Sequence, residues 1–74
     1  MTDPVEKRSI TIRGHRTSVS LETPFWDALK EKAASEGRSL SALIADVDET
    51  SDGNLSSALR LHVVAWLQAR VAGR

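Results

Sequence analysis

"GHRTSVSLE", residues Gly14 to Glu22, alternates. Thr17, Val19 and Leu21 fall on one side of an extended chain, and Arg16, Ser18 and Ser20 fall on the other. Such a run predicts a half-buried strand. Everything after it reads as helix, and no later segment has the pattern of a partner strand. A lone strand leaves a row of N–H and C=O groups unpaired, so the fold turns on what pairs with this one. The simplest partner is the same strand from a second chain. Two copies form an antiparallel, two-stranded ribbon about a two-fold axis. Val19 and Leu21 of both chains then face the helices, while Arg16, Ser18 and Ser20 face outward together. A two-stranded ribbon fits the major groove of B-DNA, which is about 12 Å wide.

Upstream, residues 1–8 are polar, contain Pro4 and read as a loose arm. "SITIR", Ser9 to Arg13, alternates with Ile10 and Ile12 on one face. At Gly14 the apolar parity passes from even positions to odd ones. Two readings stay open: a separate short strand folded back through Gly14, or an arm that meets the main strand at a bend. Residues 1–15 are therefore taken as a basic N-terminal arm and residues 16–49 as the core of the domain. Residues 54–72 form a C-terminal helix.

The first helix begins in "ETPFWDALKEKAASEG". Thr23 is its expected N-cap, and Pro24 suits the first helical position. Phe25, Leu29 and Ala33 recur every four residues, and Gly37 is the expected stop. The second helix is "SLSALIADVDE", with Ser39 as N-cap and Leu40, Leu43, Ile44 and Val47 at helical spacing. The short "EGRS" turn forces the two helices against each other at a steep angle. After "TSDGN", Asn54 caps a third helix, "LSSALRLHVVAWLQARV". Leu55, Ala58, Leu59, Val63, Trp66 and Leu67 give it a wide apolar face, which Leu61 and Val64 broaden. A helix apolar over that much of its circumference is expected to be buried on more than one side.

A chain of 74 residues makes one domain. It is small enough to need outside support from disulfides, a metal or a second subunit. There is no cysteine, and His15 and His62 stand apart without ligand-like spacing. Oligomerisation is the support that remains. Net charge is zero, with ten basic and ten acidic residues, but the signs are segregated. Lys7, Arg8, Arg13 and Arg16 precede Leu21 with no acid among them, and the middle of the chain is acidic. The N-terminus has no long apolar run, so neither a signal peptide nor a membrane span is expected, which fits a cytoplasmic protein.

The order of strand, Pro-started helix, "GRS" turn and Ser-capped helix, carried by "TSVSLETPFWDALKEKAASEGRSLSALIADV", resembles the ribbon-helix-helix DNA-binding proteins. These are the class of the Arc and MetJ repressors. With "RGHRTSVSLE" before and "GNLSSALRL" after, the chain looks like a group of short bacterial proteins carrying this domain. The resemblance implies a fold that is mainly α with one N-terminal strand. It implies a homodimer joined by an intermolecular ribbon, to which the C-terminal helix is an addition that either extends the dimer interface or makes a higher homo-oligomer. It implies a sequence-specific regulator of transcription whose ribbon enters the major groove of double-stranded DNA. The family's outward positions fall on Arg16, Ser18 and Ser20, and Arg16 is suited to a bidentate contact with guanine. The family's phosphate anchor falls on Ser39 and on the backbone N–H groups of Leu40 and Ser41, where free amides and the helix dipole favour an anion. Lys7, Arg8, Arg13 and His15 are further candidates for phosphate. Val19, Leu21, Leu43, Ile44, Val47, Leu59, Val63 and Trp66 are the expected dimer core.

The rival reading is a protein-interaction module, an antitoxin or adaptor, that holds a partner on the apolar third helix. No motif of a nucleophile beside a base and no Gly-rich phosphate loop is present, so an enzyme is not expected and no cofactor is implied. His62 reads as a satisfied interface histidine. Trp26 and Trp66 read as core or interface aromatics. "DVDETSD" reads as a solvated helix end, because it lacks the pattern of a calcium loop.

Overall fold

The computed structural model describes residues 4–73; residues 1–3 of the expected arm lie outside them. The chain runs β1 (Val5–Ile12), β2 (His15–Glu22), α1 (Thr23–Ser35), α2 (Leu40–Thr50) and α3 (Leu55–Ala72). The expectation of one N-terminal strand is corrected, because two strands are present and they pair within the chain. β1 and β2 form an antiparallel two-stranded sheet, from Val5 opposite Glu22 to Ile12 opposite His15. Arg13 and Gly14 make the two-residue loop, with φ of 49° and 83°. Positive φ at both loop positions is the type I′ geometry that matches the twist of a hairpin. The partner that β2 needs is thus supplied from upstream by the "SITIR" segment, extended back to Val5.

The hairpin lies on the three helices as one layer. Ile10, Ile12, Val19 and Leu21 are buried on its inner face, and they meet Trp26, Leu29 and Ala33 of α1. Leu43, Ile44 and Val47 of α2 and Leu59 and Val63 of α3 complete this core. Trp26 is the largest fully buried side chain, and its indole Nε1–H donates to the Glu6 carbonyl at 2.8 Å. A buried indole thereby keeps its hydrogen bond and fastens α1 to β1.

The helix ends follow from local chemistry, with one correction. Thr23 is not the N-cap of α1; Glu22 holds that position, without a side-chain cap bond. Thr23 instead donates its backbone N–H to the Pro4 carbonyl at 3.1 Å, with its hydroxyl at 3.4 Å from the same oxygen. The start of α1 is therefore tied to the start of β1. At the other end Gly37 takes φ of 68°. Gly37 N–H donates to the Ala34 carbonyl and Arg38 N–H to the Ala33 carbonyl, the bond pair of a Schellman stop. Ser39 Oγ accepts from Ala42 N–H, and Asn54 Oδ1 accepts from Ser57 N–H, each at 3.1 Å.

The third helix is buried along one stripe only. Leu59 and Val63 are inside, Trp66 is half-buried, and Leu61 and Val71 are 70% and 73% exposed. The breadth of its apolar face is matched within this chain only along the side that meets the hairpin and the other helices.

Two outcomes follow from this packing. Gly14→Val should destabilise the protein by about 1–2 kcal/mol in a denaturant titration, because a β-branched side chain resists the left-handed conformation. His62 on α3 has its pKa lowered, first by burial and then by the charge of Lys32, with Glu36 opposing and Arg38 adding to the shift. The unfolded chain therefore binds the proton more readily than the folded one. Stability should be full above about pH 6.5, the ordinary histidine value, and should fall as pH drops from there toward the lowered folded-state value. His62→Gln should remove that part of the melting-temperature profile.

Candidate nucleic-acid interface

A hairpin closed by two residues pairs each even position of one strand with an odd position of the other. Lys7 stands opposite Ser20, Ser9 opposite Ser18 and Thr11 opposite Arg16. These six side chains share the outward face of the sheet, since their neighbours Ile10, Ile12, Val19 and Leu21 are buried. Ser20 is half-buried and the other five are exposed. Hydroxyls fill the middle of the face, with a cation toward either end. The row continues to Glu22, but its carboxylate turns to Arg60 of α3, with Oε1 2.9 Å from Nε. The hydrogen bond from Arg60 holds the Glu22 pKa below the usual carboxylate value, joined by a backbone hydrogen bond and the Arg60 charge, against burial. The acid beside the face is thus compensated.

The basic side chains divide by their partners. Arg8 projects from the inner face, pairs with Glu6, and lies over the Trp26 ring at 5.3 Å. Arg13 reaches α2, 3.4 Å from Asp48 and 3.2 Å from both Glu49 and the Ala45 carbonyl. Lys32, Arg38, Arg60 and Arg70 are also ion-paired. Lys7, Arg16 and Lys30 have no acidic partner among the described residues, and two of these three sit on the outward face. Arg8 and Arg13, candidates for phosphate in the sequence, are paired with the protein's own acids in the single chain. His15 is exposed beside the hairpin loop, on the strand parity of Val19.

Ser39, Leu40 and Ser41 open α2, whereas Arg13 docks the hairpin loop on the C-terminal half of that helix. Within one chain they are not brought together with Arg16. Of the expected dimer core, seven residues are buried inside the single chain, and Trp66 is half-buried beneath the Arg70 guanidinium at 4.9 Å. Ser9 and Thr11 are members of the outward face that the sequence reading missed. The parity change at Gly14 is the signal that would have placed them there.

The family model described as "Ribbon-helix-helix domain" matches residues 5–67. Members of that family generally bind DNA and form dimers, and such domains are typically non-enzymatic. Among solved structures, an uncharacterized protein from Bordetella pertussis Tohama I is similar, with a TM-score of 0.81 and 32% sequence identity. The match covers 95% of this chain and 61% of that one, so the chain spans less than two thirds of that protein's length. No curated protein matches the chain. Among the described residues, no helix is long and apolar enough to cross a membrane.

The two faces of the hairpin should separate in stability measurements. Arg8→Ala should lower the melting temperature, because it removes a cation stacked on Trp26, an interaction of about 0.5–1 kcal/mol. Arg16→Ala should leave the melting temperature unchanged within error, since its side chain is exposed without an ionic partner. Equal losses in both variants would show that Arg16 has a structural partner.

Proposed function

We propose, from the premise that this chain belongs to the ribbon-helix-helix family, that it is a homodimeric, sequence-specific DNA-binding regulator of transcription. The observation that carries the reading is the outward face of the hairpin. It is acid-free from Lys7 to Ser20, rich in hydroxyls, and holds two cations withheld from internal ion pairs. Arg16, Ser18 and Ser20 read base edges, with Arg16 suited to guanine. Lys7 takes a phosphate.

The dimer forms by pairing β2 with β2 of a second copy. Each strand of a two-stranded sheet keeps one open edge, and the two edges differ here. β1 follows Pro4 and carries Lys7 and Arg8, features that discourage further pairing. β2 carries no proline and no lysine. Joining two β2 edges gives a four-stranded sheet with Arg16, Ser18 and Ser20 of both chains on its central strands. Two strands spaced about 4.8 Å apart fit a groove about 12 Å wide. The flanking β1 strands then carry Lys7 over the groove walls, where the phosphates run. Ser39, Leu40 and Ser41 serve as a phosphate anchor at the N-terminus of α2 once the second copy places them beside the duplex.

A second reading has an observation of its own. Leu61, Val64, Leu67 and Val71 are exposed on α3, and an antitoxin or adaptor would hold a partner protein there. The two readings differ in which variants matter. In fluorescence anisotropy with a pool of duplexes, Arg16→Ala should cost about 1–3 kcal/mol per guanine read and relax base preference. Lys7→Ala should weaken binding to all sequences alike and reduce the salt slope by about one unit per phosphate neutralised. Light scattering should give twice the chain mass. A protein with no salt-sensitive DNA binding at low ionic strength would overturn the regulator in favour of the module.

A further inference from the structure

The apolar residues of α3 fall on two stripes. Leu59 and Val63 are buried, turned toward the hairpin and the other two helices. Leu61, Val64, Leu67 and Val71 are exposed. On a helix of about 3.6 residues per turn, Leu61, Val64, Gln68 and Val71 lie one above another, on the side away from Leu59 and Val63. Their alternation of three-residue and four-residue steps is the seam of paired helices, where inward positions recur every 3.5 residues or about that. Gln68 is the single polar member, in the place of the polar residue that fixes register in such pairs.

What covers the seam follows from where α3 sits. α2 packs on β1 and α3 packs on β2. The Arg60–Glu22 pair ties α3 to the end of β2. With the buried stripe turned to the body of the protein, the seam faces outward on the β2 side. The open edge of β2 lies on that side too, so edge and seam are parts of one face. A stable interface buries about 800 Å² on each partner. The edge of one strand falls short of that, and the seam adds the apolar area that the edge lacks.

Charge points to the same occupant. α3 carries no acid, and Arg60 and Arg70 are engaged by Glu22 and Glu31 of their own chain. Ala65, Leu67 and Ala72 flank the seam. A like copy meets no repulsion there, and a foreign protein finds no free charge by which to be recognised.

We infer, resting on the β2-paired dimer proposed above, that α3 packs antiparallel against α3 of the same second copy, about the same two-fold axis. A two-fold axis perpendicular to the sheet reverses helices as it reverses strands. With that axis at the middle of the seam, Leu61 lies opposite the second copy's Val71, and Val64 lies opposite its Gln68. Ala65 and Leu67 meet their own equivalents beside the axis. A groove of about 350 Å³, lined by Leu67, Gln68, Val71 and Ala72, receives the second copy's Leu61. Every member of the seam is used twice, as an isologous interface requires. The face thus belongs to a second copy of the chain and not to a foreign protein.

The test is sedimentation equilibrium of the full chain and of two double variants. Leu61→Lys with Val71→Lys places like charges opposite each other; Leu61→Lys with Val71→Glu places opposite charges there. Both change only residues exposed in the single chain, so circular dichroism should show the same helix content in each. The wild type should be a dimer. The Lys–Lys variant should dissociate at a concentration roughly 100-fold higher, since like charges across an interface are strongly disfavoured. The Lys–Glu variant should recover about tenfold or more of that loss, and high salt should remove the recovery. The inference alone is overturned if the Lys–Lys variant dimerises as the wild type does, which would leave the face to another protein. It is also overturned if the Lys–Glu variant is as weak as the Lys–Lys variant, because the pairing is then not antiparallel in this register. A wild-type tetramer that the Lys–Lys variant reduces to a dimer would overturn the shared axis. A wild-type monomer would overturn the β2-paired dimer itself, and the pairing of α3 with it.

Discussion

The register of the hairpin is the constraint on which the rest depends. A loop of two residues joins every even position of β1 to an odd position of β2 and the reverse. Ile10 and Ile12 therefore land on the same face as Val19 and Leu21, and all four are buried. A slip of one residue would turn one strand's apolar set to water and its polar set to the core. The loop holds the register only because Arg13 accepts a positive φ beside Gly14. The Arg13 side chain then crosses to α2 and meets Asp48, Glu49 and the Ala45 carbonyl, which helps to hold the loop where a backbone strain is stored.

The other end of the hairpin is fixed by different means. Trp26 donates to the Glu6 carbonyl and Thr23 to the Pro4 carbonyl, so the first turn of α1 is bound to the first residues of β1. Arg8 covers the indole from the inner face of the sheet. Held at the loop by α2 and at its open end by α1, the two-stranded sheet is a rigid plate. A surface that reads another molecule by geometry needs such support, since side chains on a supported strand keep their spacing better than side chains on a loop.

Much of this was legible in the sequence. The strand at Gly14–Glu22, the three helices, the caps at Ser39 and Asn54, and the stop at Gly37 all follow from local chemistry. The inward side of β2 follows from its alternation. The first strand was half legible: Ile10 and Ile12 alternate and the parity changes at Gly14, which is the mark of a two-residue hairpin. Two features hid it. Arg-Gly is not among the usual loop pairs, because arginine gains nothing locally from a left-handed backbone. Lys7 and Arg8, read as a basic arm, contribute one residue to each face of a strand. Thr23 misleads for a related reason: its hydroxyl suits a cap, but the Pro4 carbonyl lies within reach only after the chain has folded back. The partition of the cations could not be read at all, since the acids that hold Arg8 and Arg13 are chosen by tertiary structure.

That partition explains how a chain with no net charge presents a cationic surface. The acids of the middle segment do not spread their effect evenly. Asp48 and Glu49 are engaged by Arg13, Glu36 and Asp46 by Lys32 and Arg38, Glu31 by Arg70, and Glu22 by Arg60. Each pairing is exposed enough to add little to stability by itself. Their combined effect is to keep negative charge away from the outward face of the sheet. Lys7 and Arg16 remain there without described acidic partners, on a surface otherwise made of hydroxyls. The field near that face is set by the charges within about 10 Å, the screening length at moderate salt, and not by the total over the chain. Net charge thus carries little information about binding here, and the pairing map carries most of it.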